Sequence, residues 1–265
     1  MKVISSTQYD SSPQYSPDGS RVAFRSNRTG SNEIWVSDSK GQVPVQLTRY
    51  GGPLTGTPRW SPDGMNIAFD TRPEGQADIY AVSSIGGAPR RVTMSEYEDV
   101  VPSWSVNGAW IYFASNRTGA WQVWRVPPAG GPEEQVTKDG GFAAFEGPDG
   151  KYLYYAKGRG AAGIWRKRLP DGTEELVLED LKPGFWGHWA VVENGIYFAS
   201  QTGPGGAGGI FFYDFASRKA RLISRVDKAL AVTDSAFSVS PDRRSILYTQ
   251  VDSSGSDIFI LDRAK

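Results

Sequence analysis

The chain has no cysteine and one histidine, His188, in 265 residues. The first absence excludes disulfides and thiolate metal sites. The second leaves no group of imidazoles to gather a metal and argues against a Ser-His-Asp relay. Net charge is also absent, with Lys+Arg and Asp+Glu equal at 29 each, so there is no bulk electrostatic drive toward nucleic acid or an anionic membrane. No apolar run is long enough for a membrane span, and Met1-Lys2-Val3-Ile4-Ser5-Ser6 lacks the apolar core of a secretory signal. Neither membrane insertion nor a nucleic-acid partner is expected. There is no Gly-x-Ser-x-Gly elbow and no phosphate loop ending in Gly-Lys-Ser/Thr. No metal or other cofactor is expected from these gaps. A pair of carboxylates for glycoside cleavage leaves no spacing signature, so that chemistry stays open.

What the chain has in quantity is aromatics and turn formers: 12 Tyr, 12 Phe and 9 Trp, with 31 Gly and 17 Pro. That mixture favours short strands joined by tight turns. The phrase Ser16-Pro17-Asp18-Gly19 returns as Ser61-Pro62-Asp63-Gly64, then in degraded form as Ser105-Val106-Asn107-Gly108, Gly147-Pro148-Asp149-Gly150, Val192-Glu193-Asn194-Gly195 and Ser240-Pro241-Asp242-Arg243. Between their third residues the steps are 45, 44, 42, 45 and 48, and joining the chain end to end gives a sixth step of 41.

Each phrase is followed by an apolar run such as Val22-Ala23-Phe24 or Ile111-Tyr112-Phe113. About ten residues later comes an apolar-aromatic pair: Ile34-Trp35, Ile79-Tyr80, Val123-Trp124, Ile164-Trp165, Ile210-Phe211 and Ile258-Phe259. A further run follows in five copies only; the sixth is supplied by Lys2-Val3-Ile4-Ser5. With the strand before each phrase, every repeat holds four strands over about 40–45 residues. The spacing predicts an all-β, six-bladed β-propeller of one domain, with blades at about 7–48, 52–93, 96–137, 140–178, 183–224 and 231–265 plus 1–6. The N-terminal strand is expected to complete the last blade and close the ring. A β-solenoid is the rival, but its coils are shorter. The Gly-rich stretch Thr202 to Gly209 reads as an elongated loop between the second and third strands of blade five.

In a propeller the connection entering the inner strand and the loop between the second and third strands share one face, opposite the Ser-Pro-Asp-Gly turns. The phrase is therefore read as turn chemistry. Counting back five residues from the inner-strand aromatic gives Asp10, Thr55, Asp99, Gly141, Gly184 and Asp234, expected to ring the channel mouth. Three converging carboxylates would suit a cation or peptide amino groups; the simpler reading is that each caps its own turn. Arg28 and Arg117 lie in the twin loops Ser26-Asn27-Arg28-Thr29-Gly30 and Ser115-Asn116-Arg117-Thr118-Gly119, with Arg72 in the equivalent loop of blade two. They are read as bridges between blades or as solvated groups before ligand contacts. Both loops carry an Asn-x-Thr glycosylation pattern, which is short enough to arise by chance. Trp186 and His188 flank the start of the inner strand of blade five, where a channel-facing cluster and a satisfied structural histidine are both open.

The run Pro58-Arg59-Trp60-Ser61-Pro62-Asp63-Gly64-Met65-Asn66-Ile67-Ala68-Phe69, the Ser-Asn-Arg-Thr-Gly loops and Asp99-Val100-Val101-Pro102-Ser103-Trp104 resemble the repeat of TolB-type propellers, over essentially the whole chain. The resemblance implies a periplasmic or otherwise extracytoplasmic protein that recruits a peptidoglycan-associated lipoprotein through its channel-mouth face. The family's namesake carries an α/β domain before the propeller, whereas this chain begins on the closing strand. Related propellers are also fused to peptidases and to bacterial regulators. The expected function is that of a monomeric, non-catalytic protein- or peptide-binding propeller using Asp10, Asp99, Asp234, Arg28, Arg117, Arg72, Trp186 and His188. The alternatives are a carbohydrate-active hydrolase or lyase using channel carboxylates, and a sensory or gating domain of a larger protein.

Overall fold

A computed structural model describes residues 2–4, 6, 8–201, 208–231, 234–252 and 255–262, without the side chains of 252, 255–257 and 262. Most of the Gly-rich stretch beginning at Thr202, and Ser5 of the predicted closing strand, lie outside the described residues.

The strands form six four-stranded antiparallel sheets. The first contains β2 (Asp10–Tyr15), β3 (Arg21–Ser26), β4 (Glu33–Asp38) and β5 (Val45–Gln46) in sequence order. Four more sheets follow the same plan, from β6 (Thr55–Trp60) to β9 (Arg90–Arg91), β10 (Asp99–Trp104) to β13 (Glu134–Gln135), β14 (Phe142–Glu146) to β17 (Glu174–Leu178), and β18 (Trp189–Val192) to β21 (Lys219–Arg225). The sixth is assembled from both ends of the chain. Its order is β1 (Lys2–Ile4), β24 (Gly255–Asp262), β23 (Ser245–Asp252), β22 (Phe237–Val239), with Lys2 opposite Phe259 and Ile4 opposite Ile258. Each inner strand contacts the inner strand of the next sheet, and β22 contacts β2. The architecture is a six-bladed propeller.

The Ser-Pro-Asp-Gly turn builds itself from its own side chains. Ser16 Oγ donates to Asp18 Oδ1 at 2.5 Å and accepts the Arg21 amide at 2.9 Å, while the Gly19 amide donates to the Ser16 carbonyl at 2.8 Å. The Ser16 hydroxyl, with the Ser20 amide at 3.1 Å and hydroxyl at 2.8 Å, holds the Asp18 carboxyl down to about 2. The same pattern recurs at Ser61/Asp63, Ser105/Asn107 and Ser240/Asp242. In the first four copies the fourth position has positive φ, 72° at Gly19, which glycine adopts without a Cβ penalty. In the last blade Arg243 occupies that position at φ 60°.

Behind each turn the second strand is buried on both faces, because it lies mid-blade between two neighbouring sheets. Phe24, Phe69, Phe113, Tyr155 and Phe198 recur at one register position and are 0–1% exposed. Their size fills the space between twisted blades, and the aromatic of the next strand stacks on two of them, Tyr80 on Phe69 at 6.0 Å and Phe211 on Phe198 at 5.3 Å between centroids.

The inner strands differ in one respect that is silent in the sequence. In blades one to four the ladder between first and second strands slips, between Ser11 and Gln14 in the first, and Ser12, Thr57, Val101 and Ala143 take φ of 48–55°. These are β-bulges, each adding one unpaired residue to the inner strand. Blades five and six pair without the slip, Trp189 to Phe198 and Phe237 to Tyr248.

Candidate functional site

The bulges change which residues share a level of the channel. With one residue fewer in blades five and six, the level of Asp10, Thr55, Asp99 and Gly141 falls on Gly187 and Ser235, since His188 and Ala236 carbonyls accept the Ala199 and Thr249 amides. Gly184 and Asp234, predicted for that level by counting, lie in the connections that precede it. Glycine at 187 is required by packing there: a Cβ would stand 2.4 Å from Ser235 Cα.

Asp10 and Asp99 are fully buried, and each is covered by the arginine eighteen residues later in its own blade. Arg28 Nη2 reaches Asp10 Oδ1 at 2.9 Å. Arg117 Nη2 reaches Asp99 Oδ1 and Oδ2 at 2.9 and 3.0 Å. The guanidinium carbons sit over rings of the second and third strands, Arg28 5.0 Å from both Phe24 and Trp35, Arg117 5.7 Å from Phe113 and 4.5 Å from Trp124. Arg117 also pairs with Glu133. Burial pushes the Asp99 carboxyl up to about 6 against the pull of the Ser115 hydroxyl and Arg117, so it is ionised at neutral pH. Arg28 and Arg117 are therefore not bridges between blades but clamps within one. Arg72 is the bridge. Blade two has Thr55 at the ring level, bonded to Thr71, and Arg72 instead reaches Glu98 at 2.9 Å in the connection to blade three.

A second charged level lies on the residue after the buried aromatic: Arg25 in blade one and Asp70 in blade two, where other blades have Ala114, Ala156, Ala199 and Thr249. Arg25 Nη2 reaches Asp234 Oδ2 of blade six at 2.6 Å, and the Tyr9 hydroxyl donates to the same oxygen at 2.6 Å. Asp70 accepts from Thr57 Oγ1 and lies 3.5 Å from Arg72 Nη1, and burial raises its pKa. Asp234 is thus a cross-blade ion-pair partner.

His188 is fully buried with its ring 5.1 Å from that of Phe185, and among the described residues neither ring nitrogen makes a hydrogen bond of normal geometry. Burial drives its pKa down to about 4, against the weaker opposing pull of the Ala231 backbone and Asp234, so the ring is neutral at pH 7. Trp186 packs edge-on to Phe142 at 4.9 Å, and its carbonyl accepts the Trp189 indole at 2.7 Å. Among the described residues no three His, Asp or Glu gather as metal ligands.

The space for a ligand is at the other end. A cavity of about 490 Å³ opens on the face of the Ser-Pro-Asp-Gly turns and takes lining from all six inner strands. One layer of it is a ring with one residue per blade: Gln14, Arg59, Ser103, Phe145, Ala190 and Ser238. Three of these serve the neighbouring blade. Gln14 Oε1 accepts the Trp60 amide at 2.7 Å, Ser103 donates to the Ala144 carbonyl at 2.5 Å, and Ser238 Oγ accepts the Tyr15 amide at 3.1 Å. Arg59 carries the only charge of the ring. Sequence reasoning passed over it, although reading the repeat down the position two residues before each turn would have isolated it.

The profile of the TolB beta propeller domain matches residues 1–184. No curated protein matches the chain in sequence. Among solved structures, TolB from Acinetobacter baumannii is 16% identical, with a TM-score of 0.71, covering 96% of this chain and 60% of that one. A putative TolB from Agrobacterium tumefaciens is 26% identical with a TM-score of 0.58, covering 62% and 63%. The chain thus spans about 60% of the length of the TolB structures it matches. An oligogalacturonate lyase from Vibrio parahaemolyticus, 13% identical with a TM-score of 0.59, covers 100% of this chain and 91% of that one, and at this identity the likeness is one of fold. With the profile covering more than half its length and six four-stranded blades in its structure, this chain belongs to the TolB β-propeller family.

Proposed function

We propose that this propeller is a non-catalytic binding module that engages a protein or peptide segment, as an extracytoplasmic member of its family, on the face carrying Arg28, Arg72 and Arg117. The observation behind this reading is the seating of these arginines. Their side chains keep 17–21% of their surface and are fixed from below by carboxylates. On the same face, Leu54, Met94 and Tyr97 stand exposed in the connections leading into β6 and β10. Immobilised arginines beside apolar and aromatic anchors are the composition of a protein interface, where preorganised side chains lose little entropy on docking. An envelope lipoprotein is the partner class the family suggests. Engagement of Asp10, Asp99, Asp234 and Asp70 by arginines or hydroxyls also favours binding over acid-base chemistry, which needs carboxyls free to exchange protons with substrate.

The test is affinity capture from a bacterial envelope extract with the wild type, a loop-face variant (Arg72→Ala with Tyr97→Ala) and a turn-face variant (Val106→Asp). Loss of a captured protein with the loop-face variant alone is expected. Equal capture by all three, or turnover of an acidic oligosaccharide that Asp99→Asn abolishes, would overturn the reading.

A further inference from the structure

Arg59 is 4% exposed, lies on an inner strand and lines the turn-face cavity. Its Nη1 donates to the Pro58 carbonyl at 3.2 Å and its Nη2 to Ser235 Oγ of blade six. Among the described residues no carboxylate pairs with it. The side chain reaches from blade two to blade six and lies over the Phe145 ring of blade four, 5.0 Å from its centroid. A guanidinium has five N–H donors and does not give up its charge at neutral pH; even with burial pushing it down to about 10, it remains a cation. An unpaired buried charge is costly and is ordinarily met by a counter-ion. The other buried arginine of the channel obeys that rule, since Arg25 has Asp234.

The walls show what should accompany the anion. Trp60, Trp104, Trp189, Phe145 and Phe237 line the cavity, and Trp189 meets Phe145 edge-on at 4.8 Å. The rim carboxylates do not repel an entering anion unopposed: Glu146 accepts the Val106 amide at 2.5 Å and the Tyr112 hydroxyl at 3.0 Å, and Glu193 pairs with Arg243 at 3.0 Å. A concave space of this volume, walled by aromatic rings and holding a fixed buried cation among its polar lining groups, is the form of a small-ligand site.

We propose that the turn-face cavity binds a carboxylate carried on an aromatic or apolar body, with Arg59 receiving the carboxylate and the tryptophans enclosing the body. The site is separate from the loop-face surface and stands or falls independently of it. Such a ligand can be a small organic acid or the C-terminus of a peptide, and the two are distinguished by the probes. Calorimetric titration compares phenylacetate with phenylacetamide, and the dipeptide Gly-Phe with its C-terminal amide. At least one carboxylate is expected to bind saturably and ten-fold or more tighter than its amide. A preference in the first pair alone assigns a small acid; a preference in the dipeptide pair assigns a chain terminus. Arg59→Met, with its fold checked by denaturant unfolding, should abolish the preference, and Arg59→Lys should reduce it by losing the two-pronged donor geometry. Equal binding of acid and amide, absence of saturable binding by all four probes, or a preference retained in Arg59→Met would overturn the proposal. Should Arg59→Met fail to fold, the wild-type comparison and Arg59→Lys still decide it.

Discussion

Two arginines, on adjacent blades and both more than nine-tenths buried, reach consecutive residues of blade six in opposite circumstances. Arg25 meets a carboxylate of the blade across the ring closure, 2.6 Å away. Arg59 meets a serine hydroxyl and a carbonyl but no anion. The first arrangement is complete: charge is neutralised inside the protein and fastens blade one to blade six. The second leaves a positive charge beside open space. Burial of an arginine therefore has no single meaning in this fold; the presence or absence of an internal counter-ion separates a structural brace from a group available to a ligand.

The contrast can be broken most forcefully at the paired arginine. Arg25→Met strands Asp234 in a buried site and should cost about 3–5 kcal/mol in urea unfolding. Adding Asp234→Asn should recover much of that loss, because the stranded charge is removed. Arg117→Met should cost about 3 kcal/mol for the same reason, with Asp99 left beneath it. Arg72→Ala should cost about 2 kcal/mol, less than Arg117→Met, because Glu98 is partly in water and buried Asp70, 3.5 Å from Arg72, keeps its hydrogen bond from Thr57.

His188 sharpens the comparison through pH. Its folded pKa of about 4 is below the ordinary 6.5, so between those values the unfolded chain takes up a proton that the folded chain refuses. Its contribution is therefore present above pH 6.5 and is lost as pH falls toward 4. Compared with His188→Leu, the wild type should lose about 3 kcal/mol over that window. Asp99 acts in the opposite direction, with stability lost as pH rises from about 3.8 to 6, but it is common to both proteins and cancels in the difference. The smallest effect belongs to the turn face: Arg243→Gly should raise stability by about 1 kcal/mol by relieving the positive φ at that position.

The repeat spacing carried the blade count and the partner strand at Lys2 to Ile4, because turn chemistry and the alternation of buried residues are local and recur six times. It did not carry the register of the inner strands. A β-bulge adds one residue without requiring glycine, and Ser12, Thr57, Val101 and Ala143 have no chemistry in common to announce it. Counting back from the aromatic therefore placed Asp234 level with Asp10, where Ser235 stands. The pairing of Asp10 with Arg28 and Asp99 with Arg117 was partly visible, since the same eighteen-residue separation occurs twice, but its intra-blade sense depends on strand geometry. Arg59 was hidden for a different reason. It lies within the family-like run Pro58-Arg59-Trp60, and only comparison with Gln14, Ser103, Phe145, Ala190 and Ser238 at the same level marks it as the single charge of its ring.

The most direct measurement is urea unfolding of Arg25→Met and Arg59→Met side by side at pH 7. Loss of about 3–5 kcal/mol in the first, with the second within about 1 kcal/mol of wild type or more stable, is the predicted result, since methionine replaces an unpaired charge without stranding another. A loss in Arg59→Met as large as that in Arg25→Met would contradict the account, placing Arg59 among the braces of the ring.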